Sequence, residues 1–457
     1  MKPRFNTLFV FSFLVLATKC SYSQTNNPGD DATLLHMRNL VRRDSTLQIQ
    51  ACKALEKAKS LGVVPALVEV MRFAKLPVAC DWPLAHLTGK NFGANWPAWM
   101  EWLGKQEFEA HPAYAHFKQE LFGSIDPAFA RFLNPQAPRT IRLDEIVWGG
   151  VKKDGIPALD NPKMLKAEEA KYLHDDDDVF GIEIDGEHQT YPLRILNWHE
   201  MLNTVVGGKP VTLTYCTLCG AAVLYEPTFN GITYTFGSSG LLYRSNKLMY
   251  DRQTQSLWSS LHGEPVMGEL VGKGIKLERL YVVRTSWKAW RQLHPKTLVL
   301  DIQTGFERDY RPGAAYKEYF ESNDTMFPVA WRDKRLKAKD WIYGVIVGDS
   351  AKAYPLKHLK KSPVMNDRFA GENLVLIADA EQLTVRVYER CSIIFVKQAV
   401  PEILQDKNGA AWRITEAALE NQRDGSRLLR RPGHLAYWFG WYAFFPKTAV
   451  WAKNDQD

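Results

Sequence analysis

Cys216 and Cys219 stand three positions apart in the stretch Tyr215-Cys216-Thr217-Leu218-Cys219-Gly220, the one place in 457 residues where two thiols are close enough to act together. A pair at this spacing can share a metal ion or close into a disulfide, and spacing alone does not choose between them. Before the pair Val211, Leu213 and Tyr215 alternate with Thr212 and Thr214, and an apolar run over 221–225 follows. That pattern predicts two strands with the thiols on the tight turn between them. Gly220, which has no Cβ, suits a turn where backbone passes close to sulfur.

Two further segments carry groups that could join the thiols. Asn197-Trp198-His199-Glu200 lies on a short helix expected over 195–202. A polar stretch over 237–258 opens on a Gly237-Ser238-Ser239-Gly240 turn and contains Tyr250, Asp251 and Arg252, with His262 just beyond. A metal site wants three or four N, S or O ligands, so Cys216 and Cys219 supply two, His199 a third, and His262 is the reserve. Such a set suits copper or zinc, with iron as an alternative, and Glu200 would orient a ligand or act as general base. Tyr250, Asp251 and Arg252 would then orient a small polar or anionic substrate. A redox-active or structural disulfide, or two ordinary buried thiols, are the competing readings, and a lone histidine is more often structural than ligating.

The chain repeats itself, and the repeat separates scaffold from chemistry. Gly344 follows Gly181 by 163 residues, and Tyr354-Pro355-Leu356 follows Tyr191-Pro192-Leu193 by the same interval. The same offset pairs Asn203 with Asn366, Gly208 with Gly371 and Tyr225-Glu226 with Tyr388-Glu389. A second block, Trp287 with Trp438 and Thr297 with Thr448, matches at a shorter interval. Two copies of one β-rich fold are expected, over 140–300 and 335–450. Cys216 and Cys219 align with Asp379 and Gln382, and His199-Glu200 with Ser362-Pro363. Chemistry is therefore expected in the first copy, with the degenerate second copy packed against it.

Upstream, residues 30–134 read as helical. Leu47, Ala51 and Leu55 recur at four-residue spacing, and Pro65 opens a second helix after a break at Ser60-Leu61-Gly62, giving an αα-hairpin of HEAT-like kind. Asn95-Trp96-Pro97 starts another helix, with Trp99 and Leu103 on one face and Gly104 at its end. The fold class expected is thus α+β multidomain: a HEAT-like helical domain followed by a duplicated β-rich domain. Asp175 to Asp178 form a contiguous acidic run, which reads as a solvated turn, since calcium loops need alternating ligands.

Residues 1–23 read as a signal peptide: Lys2 and Arg4, a short apolar run, then Ser21-Tyr22-Ser23. An exported protein, periplasmic or extracellular, is expected. Lipidation at Cys20 is disfavoured because Lys19 precedes it. Loss of Cys20 leaves an odd number of cysteines, Cys52, Cys80, Cys216, Cys219 and Cys391, which does not make a disulfide framework. No apolar run is long enough to cross a bilayer. A net charge of +7 without a Lys/Arg block gives no nucleic-acid footprint. Nucleophile-elbow, phosphate-loop and dinucleotide motifs are absent where a strand–turn–helix would need them.

The combination of Lys-Asp-Gly-Ile-Pro-Ala-Leu-Asp-Asn-Pro from Lys153, the Tyr191 to Glu200 segment, the cysteine turn and the polar stretch after Ser239 resembles domain-of-unknown-function family 3179, over about 141–448. The resemblance implies that the cysteines, His199 and the Tyr250 group form one unit, and it implies no particular reaction. Three functions stand open from the residues: a metalloprotein, possible as an oxidoreductase; thiol–disulfide exchange at Cys216 and Cys219; or a non-catalytic surface for a protein or glycan, with the helical domain as the protein-binding part.

Overall fold

A computed structural model describes residues 28–73 and 81–452. The signal peptide expected over 1–23, with Cys20, and also Cys80, lie outside the described residues. Helices occupy the N-terminal region and a β-rich region of several sheets follows. Local chemistry sets the helix starts: Asp44 caps Ser45–Lys57 by accepting from Thr46 and Leu47, and Asn95 caps Trp96–Leu103 by accepting from Ala98. Pro127 opens a third, behind the Asp126 cap. In Ser45–Lys57 the buried face is Gln48, Ala51, Cys52 and Leu55, whereas Leu47 is 37% exposed. Ala51 and Leu55 of the expected stripe are thus buried, while at its start Gln48 is buried in place of Leu47. Lys118 is wholly buried, held by Glu69 at 2.5 Å and by the Ile146 carbonyl at 2.6 Å, which ties the helices to the first strand of the β region.

In the first half of the β region, Asp178–Ile184 pairs antiparallel with Glu187–Pro192 across Asp185 and Gly186. Both turn residues have positive φ, as a two-residue hairpin turn requires. The helix Leu193–His199 follows, then a meander of Met201–Val206, Lys209–Cys216 and Ala221–Glu226. Later, Glu278–Leu280 pairs with Ala221–Glu226, Val283–Ser286 pairs with Asp178–Ile184, and after the helix Trp287–Leu293 the strand Leu298–Leu300 runs parallel to Glu187–Pro192.

The second half makes the same pairings in the same order. Trp341–Val347 pairs with Ser350–Pro355, a short helix Leu356–Leu359 follows, and Val364–Phe369, Glu372–Asp379 and Thr384–Glu389 form the meander. Arg427–Arg431 returns to the last of these, Gly433–Tyr437 returns to Trp341–Val347, and after Trp438–Phe444 the strand Ala449–Val450 runs parallel to Ser350–Pro355. Residues shared along the sequence do the same work in each half. A Cβ on Gly181 would come within 2.4 Å of the Trp290 ring, and one on Gly344 within 2.1 Å of Trp441. Each indole donates to a threonine, Thr297 at 3.1 Å and Thr448 at 2.9 Å. Asn203 clasps both backbone groups of Phe236, and Asn366 both of Phe395, fastening each meander to the strand that begins the next hairpins.

Three local expectations differ from the structure. The Gly237-Ser238-Ser239-Gly240 segment is not a turn but the middle of the strand Phe236–Tyr243, where the register slips between Ser238 and Leu242 and Gly240 takes φ +79. The helix expected over 195–202 is Leu193–His199, because Glu200 turns left-handed at φ 56 and Met201 begins a strand. The acidic run is partly engaged: Asp177 pairs with Arg194 and Asp178 with Arg284.

The two halves meet around a buried carboxylate. Glu416 accepts from Arg386 at 2.9 Å and also pairs with Arg430, and His294 of the first half stands 3.8 Å away. Burial alone would raise the Glu416 pKa, but the two guanidinium groups outweigh it and hold the carboxyl well below its usual range. Arg430 also bonds across the junction, its carbonyl accepting from Tyr281 at 2.9 Å. Replacing Glu416 by Gln leaves two buried arginines without their counter-charge and should cost about 3 kcal/mol in urea unfolding at neutral pH. A depressed carboxyl stabilises above its unfolded pKa and is lost as pH falls through the folded one. The gap between wild type and Glu416→Gln should therefore close only well below pH 4.

Candidate functional site

The strand Lys209–Cys216 carries Cys216 at its last position, and the next four residues turn the chain into Ala221–Glu226. The turn is gripped from outside the first half's sheets. The Leu218 carbonyl accepts from the Tyr319 hydroxyl at 2.6 Å, and the Cys219 carbonyl from the Tyr437 backbone N–H at 2.8 Å. Gly220 has φ +63, and a Cβ there would lie 2.4 Å from the Trp341 ring. Gly440 also lies against Cys219, since a Cβ on it would come 3.0 Å from the sulfur.

Both cysteines are free of a disulfide and buried, and they differ in surroundings. Cys219 Sγ is placed to donate to the Ser245 carbonyl oxygen at 3.3 Å, an alternative to Cys216 for its proton, and accepts from Asn246 Nδ2 at 3.4 Å; Asn246 is itself fixed by Ser260 Oγ at 2.6 Å. Cys216 faces a cavity of about 60 Å³, lined also by Glu200, Lys247, Tyr316, Leu241 and Phe327. Burial pushes the Cys216 thiol up, but hydrogen bonds from the Cys219 thiol and from the Lys247 and Cys219 backbone N–H groups outweigh it and leave the pKa below the ordinary value. Cys219 moves the other way: burial, and then its bond to Cys216, hold its proton on.

A buried ion pair completes the cavity wall. Lys247 Nζ donates to the Glu200 carbonyl oxygen and stands 3.8 Å from Glu200 Oε2. Glu200 Oε1 accepts from Thr217 Oγ1 at 2.8 Å and from the Tyr316 hydroxyl at 3.5 Å. Burial pushes Lys247 down to about 8, with Glu200 and Cys216 resisting the fall, and burial raises the Glu200 pKa against the pull of Lys247. Burial thus works against the charged form of each group, and both line the cavity that Cys216 faces.

The residues expected to share a metal do not converge. His199 Nδ1 bonds the Pro157 carbonyl oxygen at 2.8 Å and Nε2 the Tyr310 hydroxyl at 2.6 Å, so both ring nitrogens are engaged. The reason is local: the left-handed turn at Glu200 sends these adjacent side chains to different sides. His262 packs on the rings of Phe444 and Phe445 and lines a separate cavity of about 680 Å³, with burial and then Arg279 pushing its pKa down to about 4. Among the described residues, no group of three or more His, Cys, Asp or Glu is placed to hold a metal. The donor set of two cysteines with His199 or His262 therefore does not fit a shared ion. The Tyr250 group does not line the Cys216 cavity either. Tyr250 donates to Asp154 at 2.6 Å and Arg252 to Asp160 at 2.9 Å. Asp251 closes its own turn, accepting from Thr254 Oγ1 at 2.8 Å and Trp258 Nε1 at 2.9 Å.

Two site residues were not anticipated, Lys247 and Tyr316. Lys247 had a slight signal, a lysine directly before Leu248 and Met249, and the structure supplies the rest, since every residue of Asn246–Asp251 is buried. Tyr316 had none, because it lies in the connection between the two β halves. That connection straps the site through three tyrosines: Tyr310 on His199, Tyr316 on Glu200 and Tyr319 on Leu218. The Trp198 indole adds a bond to the Asp309 carbonyl at 2.8 Å.

The family model described as a protein of unknown function, DUF3179, matches residues 153–448, well over half of the chain, and the chain belongs to this family. No curated protein and no solved structure matches. The strap generates a prediction. Tyr310→Phe removes the bond to His199, worth about 1 kcal/mol, together with one to Thr304 inside the connection itself, and loss of the former should raise the open population, and with it the alkylation rate of Cys216, by about fivefold. Peptide mapping after timed iodoacetamide exposure measures this, with circular dichroism checking that the fold is kept.

Proposed function

Starting from membership of a family whose function is open, we propose that the protein is a dithiol–disulfide redox protein in which Cys216 is the reacting thiolate and Cys219 the resolving thiol. The observation that carries this reading is the asymmetry of the pair: Cys216 faces the cavity and receives the hydrogen bonds, while Cys219 stands behind it with its proton held. The thiolate is the attacking form of cysteine, and the thiol nearest a bond just formed to Cys216 is the one able to displace it. Lys247 and Glu200 give the resolving step a place for a proton where water is scarce. An exported location would suit disulfide chemistry. Metal chemistry here would need donors other than His199 and His262.

We further infer that the two β halves are copies of one unit, which the recurrence of their pairings and of the Gly–Trp and Asn contacts supports. The consecutive helices Ser45–Lys57 and Val64–Phe73, joined through the single turn Leu61–Val63, favour a HEAT-like unit in front of them, available to a protein partner.

The pH dependence of Cys216 alkylation tests the redox reading. In the wild type its midpoint should lie below the ordinary cysteine value of about 8.5. Cys219→Ala removes the donated thiol proton, so the midpoint should rise, since hydrogen bonding to the charged form is what lowers it. A wild-type midpoint at or above the ordinary value, with no Cys216–Cys219 disulfide formed by any thiol oxidant, defeats the proposal.

A further inference from the structure

We propose that the oxidant this dithiol takes is a small hydroperoxide, hydrogen peroxide in the simplest case, admitted to Cys216 through the strapped cavity while larger disulfides are kept out; this rests on the dithiol reading above. The cavity of about 60 Å³ has room for a few water-sized molecules and for no peptide. Its walls are apolar at Val151, Ile156, Leu241 and Phe327 and polar at Cys216, Lys247, Glu200, Ser238 and Tyr316, with Lys247 Nζ 3.8 Å from Glu200 Oε2. A small neutral solute enters such a space without the desolvation cost that a charged disulfide would meet. Tyr316 and Phe327 of the strap form part of its wall. A polypeptide disulfide could reach the Cys216 sulfur only after the strap gives up its bonds to Glu200, Leu218 and His199.

Two of these polar groups, Cys216 and Lys247, with Cys219 behind them, match the needs of peroxide cleavage. The Cys216 thiolate attacks one oxygen of HO–OH, an S–O bond forms and the O–O bond breaks. The departing hydroxide takes a proton from the Lys247 ammonium and leaves as water, and Cys216 is left as a sulfenic acid. Cys219 sulfur then attacks the Cys216 sulfur. The S–O bond breaks, the hydroxyl leaves as a second water with the Cys219 proton, and the disulfide remains. Two electrons pass from the two sulfurs to peroxide, and Lys247 ends neutral. A lysine pushed down to about 8 is a far better acid than an ordinary one, yet still charged at neutral pH. The groups facing Lys247 are Glu200, Cys216 and Tyr316, and none of them is a second cation.

The test uses the full chain, reduced and freed of reductant, then exposed separately to hydrogen peroxide, cumene hydroperoxide and glutathione disulfide. Disulfide formation is read by peptide mass and by tryptophan fluorescence. Hydrogen peroxide should join Cys216 to Cys219 at least about tenfold faster than either bulky reagent at equal concentration, and Phe327→Ala should narrow the gap to cumene hydroperoxide. Cys219→Ala with hydrogen peroxide and dimedone should trap a sulfenic acid at Cys216. Lys247→Arg keeps the positive charge but cannot give up its proton, so the peroxide rate should fall by about a hundredfold while the Cys216 alkylation midpoint stays low. Glutathione disulfide acting as fast as peroxide, or no dimedone adduct, overturns the hydroperoxide assignment and leaves the dithiol reading standing. If neither peroxide nor disulfide joins the two cysteines, the dithiol reading itself falls, and this inference with it.

Discussion

The backbone bond from Tyr437 to the Cys219 carbonyl is the contact on which the site depends, because it makes the cysteine turn a product of both β halves. A tight turn at the end of two strands would ordinarily face solvent. Here Trp341 closes over Gly220, Gly440 fills the space beside the Cys219 sulfur, and Tyr319 holds the Leu218 carbonyl. Both thiols are consequently buried, and burial together with hydrogen bonds inside the protein shifts their pKa values in opposite directions. Two sulfurs in water would share protons almost equally. Enclosure with one directional bond between them lets one act as acceptor and the other as donor.

The same enclosure explains why the connection between the halves is an active part of the site. Its tyrosines reach three different partners on the first half: Glu200 and Leu218, which line the cavity, and His199, which directly precedes Glu200. Loosening the strap and opening the cavity are therefore one event. Elements whose opening costs only a few hydrogen bonds are the ones able to gate access without unfolding the core.

Much of this was legible in the sequence, for identifiable reasons. The strands around the cysteine turn, the hairpin at Asp185 and Gly186 and the helix capped by Asn95 follow from periodicity and local bonding, which act over a few residues. The shared Gly–Trp and Asn positions marked the framework, and the structure gives them packing and clasping roles. What could not be read were contacts set by direction and distance in space. His199 and Glu200 look like one unit in the chain, yet the left-handed Glu200 parts them. Asp251 looks free to meet a substrate, yet its oxygens are taken by its own turn and Trp258. Lys247 was visible as a lysine directly before Leu248 and Met249, but its partner lies 47 residues away.

The counterpart turn in the second half shows what the framework itself requires. At the position matching Gly220 stands Leu383, also left-handed at φ 53, a conformation that costs a non-glycine residue on the order of 1–2 kcal/mol. The fold therefore imposes this turn even where the side chain resists it, and does so without sulfur. Gln382, matching Cys219, accepts from Ser286 Oγ at 2.7 Å, and Ser286 directly precedes the helix Trp287–Leu293 just as Tyr437 precedes Trp438–Phe444. Each turn thus docks on the helix start of the opposite half. A neutral amide suffices for that docking. The first half instead places two thiols there and buries a lysine and a glutamate beside them, and burying charge costs several kcal/mol per ion before pairing returns part of it. An arrangement that the scaffold can do without, and that it must stabilise by other contacts, is best explained by the reactivity it confers on Cys216.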